Sequence, residues 1–240
     1  MDLREQEAST HTHLQPPIQG KSLGYILGID LGQAADYTAL CIAERVLPVG
    51  ATEATKAIHT AHFSGIVRSR KPSMDEYHIR HLERPALGTP YPVIAARVKE
   101  LTHTWPLTSS TPVVIDRTGV GVAVGDIFTA AGITFHAITI TGGNDVLREN
   151  RHHTKVPKRE LVGQLVALFH SSRLKVAGDM QHAPTLVNEL QNFKVKINLA
   201  TGHDSYEAWR ESIHDDLVLS VALACWYGEN VRPNVGGTYA

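Results

Sequence analysis

Apolar positions along the chain follow two rhythms, and the changes between them mark out the elements. Residues 25–29, 38–46 and 57–67 are short runs rich in β-branched and aromatic residues, with turn-forming stretches such as Gly32 to Ala35 between them; three strands in an antiparallel meander are predicted. Residues 68–90 are charged and turn-rich and read as an exposed loop with a short helix at 74–82. At 91–105 the spacing becomes helical, with Val93, Ile94, Val98 and Leu101 on one side. Segments 111–115, 122–131 and 133–140 then read as strand, helix and strand, which implies parallel pairing through a right-handed crossover.

Residues 141–156 read as loop, 158–171 as a helix striped by Leu161, Leu165 and Leu168, and 173–176 as a short strand. Residues 184–192 are helical. Beyond them Lys194, Lys196 and Asn198 alternate with Val195, Ile197 and Leu199 ahead of Gly202, which predicts a β-hairpin. The run 215–227 is apolar nearly all round and predicts a buried helix. Residues 1–22 are polar and then proline-rich, and read as a flexible arm. The expected organisation is therefore arm 1–22, one domain over 23–228 and a tail over 229–240, with no internal repeat.

Bulk composition narrows the class. A chain of 240 residues with 42% hydrophobic and 20% charged residues can bury a real core, as a soluble globular protein does. Its formal net charge of −1 excludes a global basic field, so any polyanion must be met by local clusters. Cys41 and Cys225 lie in apolar segments and read as buried thiols in a reducing compartment, not as a disulfide. No apolar stretch reaches the length of a membrane span, and residues 1–13 are too polar for a secretory signal, so a cytosolic protein without a membrane partner is expected.

The acids carry the chemistry. Asp30 follows the apolar run 25–29, Asp116 follows 113–115, and the pair Asp215 and Asp216 opens the run 217–226. Aspartate is a poor strand former and is seldom buried without a partner. If the first two strands are neighbours, their terminal carboxylates converge at one sheet edge, where mutual repulsion raises their pKa values. A hard divalent cation such as Mg²⁺ takes oxygen ligands and removes that penalty. Phosphodiester chemistry is implied.

Each acid also has a plainer reading. Asp116 can begin a turn with Arg117 and Gly119, Ser212 and Asp215 have capping-box spacing, and Asp36 suits a hairpin turn. These account for the residues singly, but not for carboxylates that end two buried strands.

Other signals are weaker. Residues 15–22 end like a phosphate-binding loop but lack its first glycine, contain two prolines and precede a strand. The glycines of 119–125 hint at a dinucleotide turn, but their spacing is wrong and no acid ends the next strand, so a tight turn near the acids is expected. The fourteen histidines, among them His11, His13, His152 and His153, have no cysteine partners at zinc spacing; His214 stands beside the acids. DNA-contacting clusters are expected at Arg148, Arg151, Lys155, Lys158 and Arg159, at Arg68, Arg70 and Lys71, and at Lys194 and Lys196 on one face of the predicted hairpin. The first of these leads directly into the helix that begins at Lys158.

In order, the chain carries GIDLG at 28–32 with DYTA at 36–39, VIDRTGVG at 114–121, PKRELV at 157–162 and HDDLV at 214–218. Together these motifs resemble the nuclease domain of bacteriophage large terminase subunits, over about residues 23–227. The resemblance implies a ribonuclease H-like α/β fold, with a five-stranded mixed central sheet flanked by helices and an added β-hairpin. It implies two Mg²⁺ or Mn²⁺ ions and cleavage of concatemeric duplex DNA during viral genome packaging. The ligands would be Asp30, Asp116 and one or both of Asp215 and Asp216, with Asp30 the candidate for bridging both ions. Lys158 would contact the scissile phosphate or orient water, and Arg117 would join the DNA contacts.

The partners it suggests, besides double-stranded DNA, are a packaging ATPase on another polypeptide, a portal and a small terminase subunit, all in the bacterial host cytosol. No ATPase module is visible in the chain. Three other readings stay open: a Holliday-junction resolvase of the same fold, a non-catalytic DNA-binding or assembly module, and an actin-like ATPase. The last rests on Gly28 to Gly32, and its second phosphate loop and adenosine motif are not found.

Overall fold

Leu27 and Ile29 point to one face of a strand while Ile26 and Gly28 point to the other, and both faces are buried. That strand is β1 (Gly20–Asp30) in the computed structural model, which describes residues 20–32, 36–49, 74–119, 121–196 and 215–231. β1 begins inside the segment expected to be an arm. It pairs antiparallel with β2 (Ala39–Pro48), which pairs antiparallel with β3 (Glu76–Glu83). On its other side β1 runs parallel to β4 (Val113–Asp116), and β4 runs parallel to β5 (Phe135–Thr141). These five make up the expected mixed sheet. It is extended to eight strands by β7 (His153–Pro157) and β6 (Leu147–Asn150) beyond β5, and by β8 (Leu174–Val176) beyond β3.

Helices cover both faces. α1 (Tyr91–Thr102) and α2 (Gly121–Ala130) pack through Ile94, Val98, Val124 and Phe128 on the face that holds Leu27, Ile29, Val113 and Ile115. α3 (Lys158–His170), α4 (Ala183–Lys196) and α5 (Asp216–Asn230) cover the face that holds Ile26 and Val114. As its all-round apolar sequence predicts, α5 is buried from Asp216 through Trp226. It lies directly on β1 at Gly28, where an added Cβ would stand 2.1 Å from the Ser220 carbonyl oxygen.

Three expectations are corrected. Residues 76–83 are a strand, not a loop with a helix at 74–82. Tyr77 and Ile79 are buried, while Arg80 pairs with Glu44 on β2, so the charges that suggested a loop are satisfied across the strands. The hairpin expected over 193–199 is absent as far as Lys196, because α4 continues through those residues; 197–199 lie outside the described residues. Positions two apart share a face in a strand but not in a helix, so the shared face expected for Lys194 and Lys196 falls with the hairpin. A hairpin occurs instead at β6–β7, inside the segment read as loop, where Thr154 and Val156 are buried at a spacing of two. The strand expected over 57–67, and Arg68, Arg70, Lys71 and His214, lie outside the described residues.

Candidate metal centre at the sheet edge

β1, β4, β5 and β7 all run in the same direction, so their carboxyl ends share one edge of the sheet. This is where open α/β sheets bind ligands. The register pairs Ile29 with Ile115, so the next residues, Asp30 and Asp116, end neighbouring strands side by side. Both fall on the α5 face, two residues beyond Gly28 and Val114. Ser220 lies over Gly28. Four residues back along α5 is about 6 Å, and two residues forward along β1 is about 6.6 Å. The start of α5 is therefore carried over Asp30. Asp30 and Asp116 are each 8% exposed and Asp216 is 4% exposed.

The electrostatics agree with this placement. Burial, reinforced by the charges of Asp116, Asp216 and Asp215, holds the Asp30 carboxyl well above the usual aspartate range, while Lys158 pulls it down. Asp215 is also raised, by burial first, with Lys158 opposing and Asp216 adding to the shift. Burial lowers the Lys158 ammonium against the pull of Asp215, Asp30 and Asp116. Four acids from three separate segments thus act on one another, with a single lysine among them.

Local donors engage these acids. Asp116 Oδ1 accepts the Thr118 N–H at 2.7 Å, so the turn suggested by the sequence is present, and Gly119 takes a φ of 83° within it. Lys158, the first residue of α3 after Pro157, brings Nζ to 3.6 Å from Asp215 Oδ2. Asp215 occupies the N-cap position of α5 but makes no side-chain capping hydrogen bond, so capping does not explain it. Among the described residues no group of three or more His, Cys, Asp and Glu side chains is already gathered into an ion cage. The donor set nevertheless suits a hard cation: carboxylates alone, crowded at a buried edge where positive charge is favoured.

Two site residues escaped the sequence reading. Arg84, just past β3, donates from Nη2 to Asp216 Oδ2 at 2.5 Å and lies 4.3 Å over the Tyr37 ring. Its signal was hidden in a segment misread as loop. Glu189 on α4 accepts the Val218 N–H at 3.1 Å, and burial pushes its carboxyl up to about 7, with Asp216 and Asp215 adding to the effect. Its position was legible, since it continues the buried spacing of Ala183 and Leu186.

The basic residues divide. Lys158 and Arg159 lie at the acidic edge, where Arg159 Nη2 donates to the Asn144 carbonyl at 2.8 Å. Arg117 follows Asp116 directly and donates its N–H to the Ile138 carbonyl. Arg148 is exposed on β6, and Lys155 pairs with Glu149. Arg151 stands in the turn before β7, at the opposite end of that strand and about 16 Å from the edge. The side chains of Lys194 and Lys196 lie outside the described residues.

An eight-stranded mixed sheet between two helical layers, centred on β3-β2-β1-β4-β5, is a ribonuclease H-like fold. The chain shares that fold with a solved large terminase nuclease. The cobalt-bound large terminase nuclease from thermophilic phage G20c superposes with a TM-score of 0.50 at 21% identity, over 86% of this chain and 83% of that one. The magnesium-bound form gives 0.49 at 21%, over 86% and 82%. The Mn-soaked human cytomegalovirus terminase nuclease domain gives 0.46 at 12%, over 87% and 85%. No family model and no curated protein sequence matches the chain.

Proposed function

We propose that this chain is a divalent-ion-dependent nuclease of the viral terminase type that cuts duplex DNA during genome packaging. The observation that carries the reading is the register that ends β1 and β4 with Asp30 and Asp116 side by side and buried, beneath the start of α5 with Asp215 and Asp216. A fold shared with a terminase nuclease supports it. Asp30, Asp116 and one or both of Asp215 and Asp216 would hold two Mg²⁺ or Mn²⁺ ions, for which their present partners must give way. Bound there, the ions would supply a more acidic water and stabilise charge on the leaving 3′ oxygen.

The remaining roles belong to the chain itself. Asp30, raised by burial and then by the charges of its neighbours, is an acid whose ionisation gains from a nearby cation, which suits it to a bridging position. Lys158 is placed to meet the scissile phosphate or to fix Asp215. Arg117, Arg148, Lys155 and Arg159 offer phosphate-backbone contacts, which would be tolerant of sequence and would weaken steeply with salt. Arg151 would contact DNA only along a longer track, and Lys194 and Lys196 stay proposed DNA contacts on their charge alone. No helix among the described residues is long and apolar enough to cross a membrane. Packaging places the reaction in the bacterial host cytosol beside a separate ATPase, a portal or a small terminase subunit.

Incubation with supercoiled, linear and branched DNA in Mg²⁺, Mn²⁺ or EDTA tests the proposal. Cleavage of plain duplex that requires the ion and disappears in Asp30→Asn is the expected result. Restriction to branched DNA would favour a resolvase, ATP hydrolysis without cleavage an actin-like ATPase, and binding without cutting a non-catalytic module.

A further inference from the structure

Arg84 is held from three sides. Nη2 lies 2.5 Å from Asp216 Oδ2 and 3.7 Å from Glu189 Oε1, and the guanidinium lies over the Tyr37 ring. Glu189 is fixed in turn through Oε2, which accepts the Val218 N–H in the first turn of α5. Arg84 Nε and Glu189 Oε1 are buried without a hydrogen-bond partner among the described residues. A buried ion pair with polar atoms left over is a poor device for stability alone, because desolvation offsets much of its attraction. It is better explained by the charge it faces. Asp216 acts on Asp30 together with Asp116 and Asp215, and the guanidinium stands at the Asp216 end of that cluster.

We propose that Arg84 is a resident counter-cation of the acidic edge, holding Asp216 in the ion-free protein and limiting how tightly the cluster takes divalent ions. This rests on the metal-centre reading above and adds a residue that tunes it. An ion drawn to Asp216 must share or displace an oxygen already engaged, and must do so beside a fixed positive charge. Like charges a few ångströms apart repel strongly at a buried site. Arg84 is therefore a positioning residue whose removal strengthens ion binding while weakening the empty fold.

The test is calorimetric titration of Mn²⁺ into the EDTA-stripped full chain, with melting curves in EDTA and in Mn²⁺. Arg84→Gln is expected to bind Mn²⁺ about tenfold tighter, to melt lower in EDTA and to gain more on adding Mn²⁺. Arg84→Lys, which keeps the charge, should lie closer to wild type than Arg84→Gln does. A purely structural residue would lower both melting curves alike with no gain in affinity, and Arg84→Gln binding Mn²⁺ as wild type or weaker overturns the proposal. Should Arg84→Gln fail to fold, Tyr37→Leu removes the ring stacked on the guanidinium while keeping Arg84 itself. A tightening of about threefold is then expected from the loosened guanidinium, and no tightening overturns the proposal. A wild-type chain that takes up no Mn²⁺ refutes the metal centre itself, whereas normal uptake without the Arg84 effect refutes only this inference.

Discussion

Lys158 Nζ lies 3.6 Å from Asp215 Oδ2, joining the first residue of α3 to the residue that precedes α5. Burial raises both Asp30 and Asp215, and this lysine opposes the rise in each. Its replacement in Lys158→Met should leave those acids protonated to a higher pH. The rising limb of the cleavage-rate profile is then expected to move to higher pH. The maximal rate should fall about tenfold or more, the scale of one lost charge-assisted contact. Cleavage rates measured across pH check both effects, and an unmoved rising limb would remove Lys158 from the acidic cluster.

Asp30 is kept at a cost to the ion-free fold. Because its folded pKa is raised above the unfolded value, its ionisation at neutral pH destabilises the native state. Asp30→Asn is therefore expected to melt higher than wild type in EDTA, by about 2–4 °C, the shift that ~1 kcal/mol produces in a domain of this size. It should also lose both cleavage and the stabilisation conferred by Mn²⁺. A variant that melts lower in EDTA would show that Asp30 is instead well satisfied without an ion.

Gly28 sets the height of α5 over the sheet. Its added Cβ would meet the Ser220 carbonyl oxygen at 2.1 Å and Ala224 at 3.0 Å, both contacts on the helix that begins with Asp216. Gly28→Ala should cost about 1–3 kcal/mol through overpacking, and it should weaken Mn²⁺ binding by lifting Asp215 and Asp216 away from Asp30. Denaturant unfolding and Mn²⁺ titration read the two effects separately. Unchanged ion binding would mean that the helix start is placed by something other than this contact.

His136, which pairs with Val114 two residues before Asp116, supplies a separate pH dependence. It is buried on β5 with Nε2 3.0 Å from Thr154 Oγ1, and burial lowers its pKa from the usual 6.5 to about 4. As pH falls through that interval the unfolded chain takes up the proton first, so the histidine's contribution is full above about pH 6.5 and is lost toward pH 4. Melting temperatures over this range should fall more steeply for wild type than for His136→Gln. Parallel curves for the two proteins would contradict this.

The parts of this site that were legible were those written in local pattern. Asp30 and Asp116 announced themselves because each ends a short apolar run, and the strand-helix-strand order over 111–140 required β4 and β5 to be parallel. The all-round apolar run after Asp216 likewise required burial. What the sequence concealed was pairing across distance. The charges of β3 read as loop because Arg80 and Glu44 lie 36 residues apart and meet only in the sheet. Arg84 was lost with that segment, since its acid, Asp216, is 132 residues away. The alternation over 193–199 obeyed strand spacing, yet α4 continued through its first residues, because a short rhythm does not end a helix already nucleated upstream. Lys158 was placed correctly from the helix start that follows Pro157.

Anomalous scattering from Mn²⁺-soaked crystals of the wild type and of Asp30→Asn tests the metal centre most directly. Peaks are expected at the carboxyl edge of β1 and β4, within ligand distance of Asp30, Asp116 and at least one of Asp215 and Asp216, and they should vanish or weaken sharply in the variant. No peak at that edge, or ions bound only at surface histidines such as His152 and His153, would contradict the metal centre and the nuclease reading built on it.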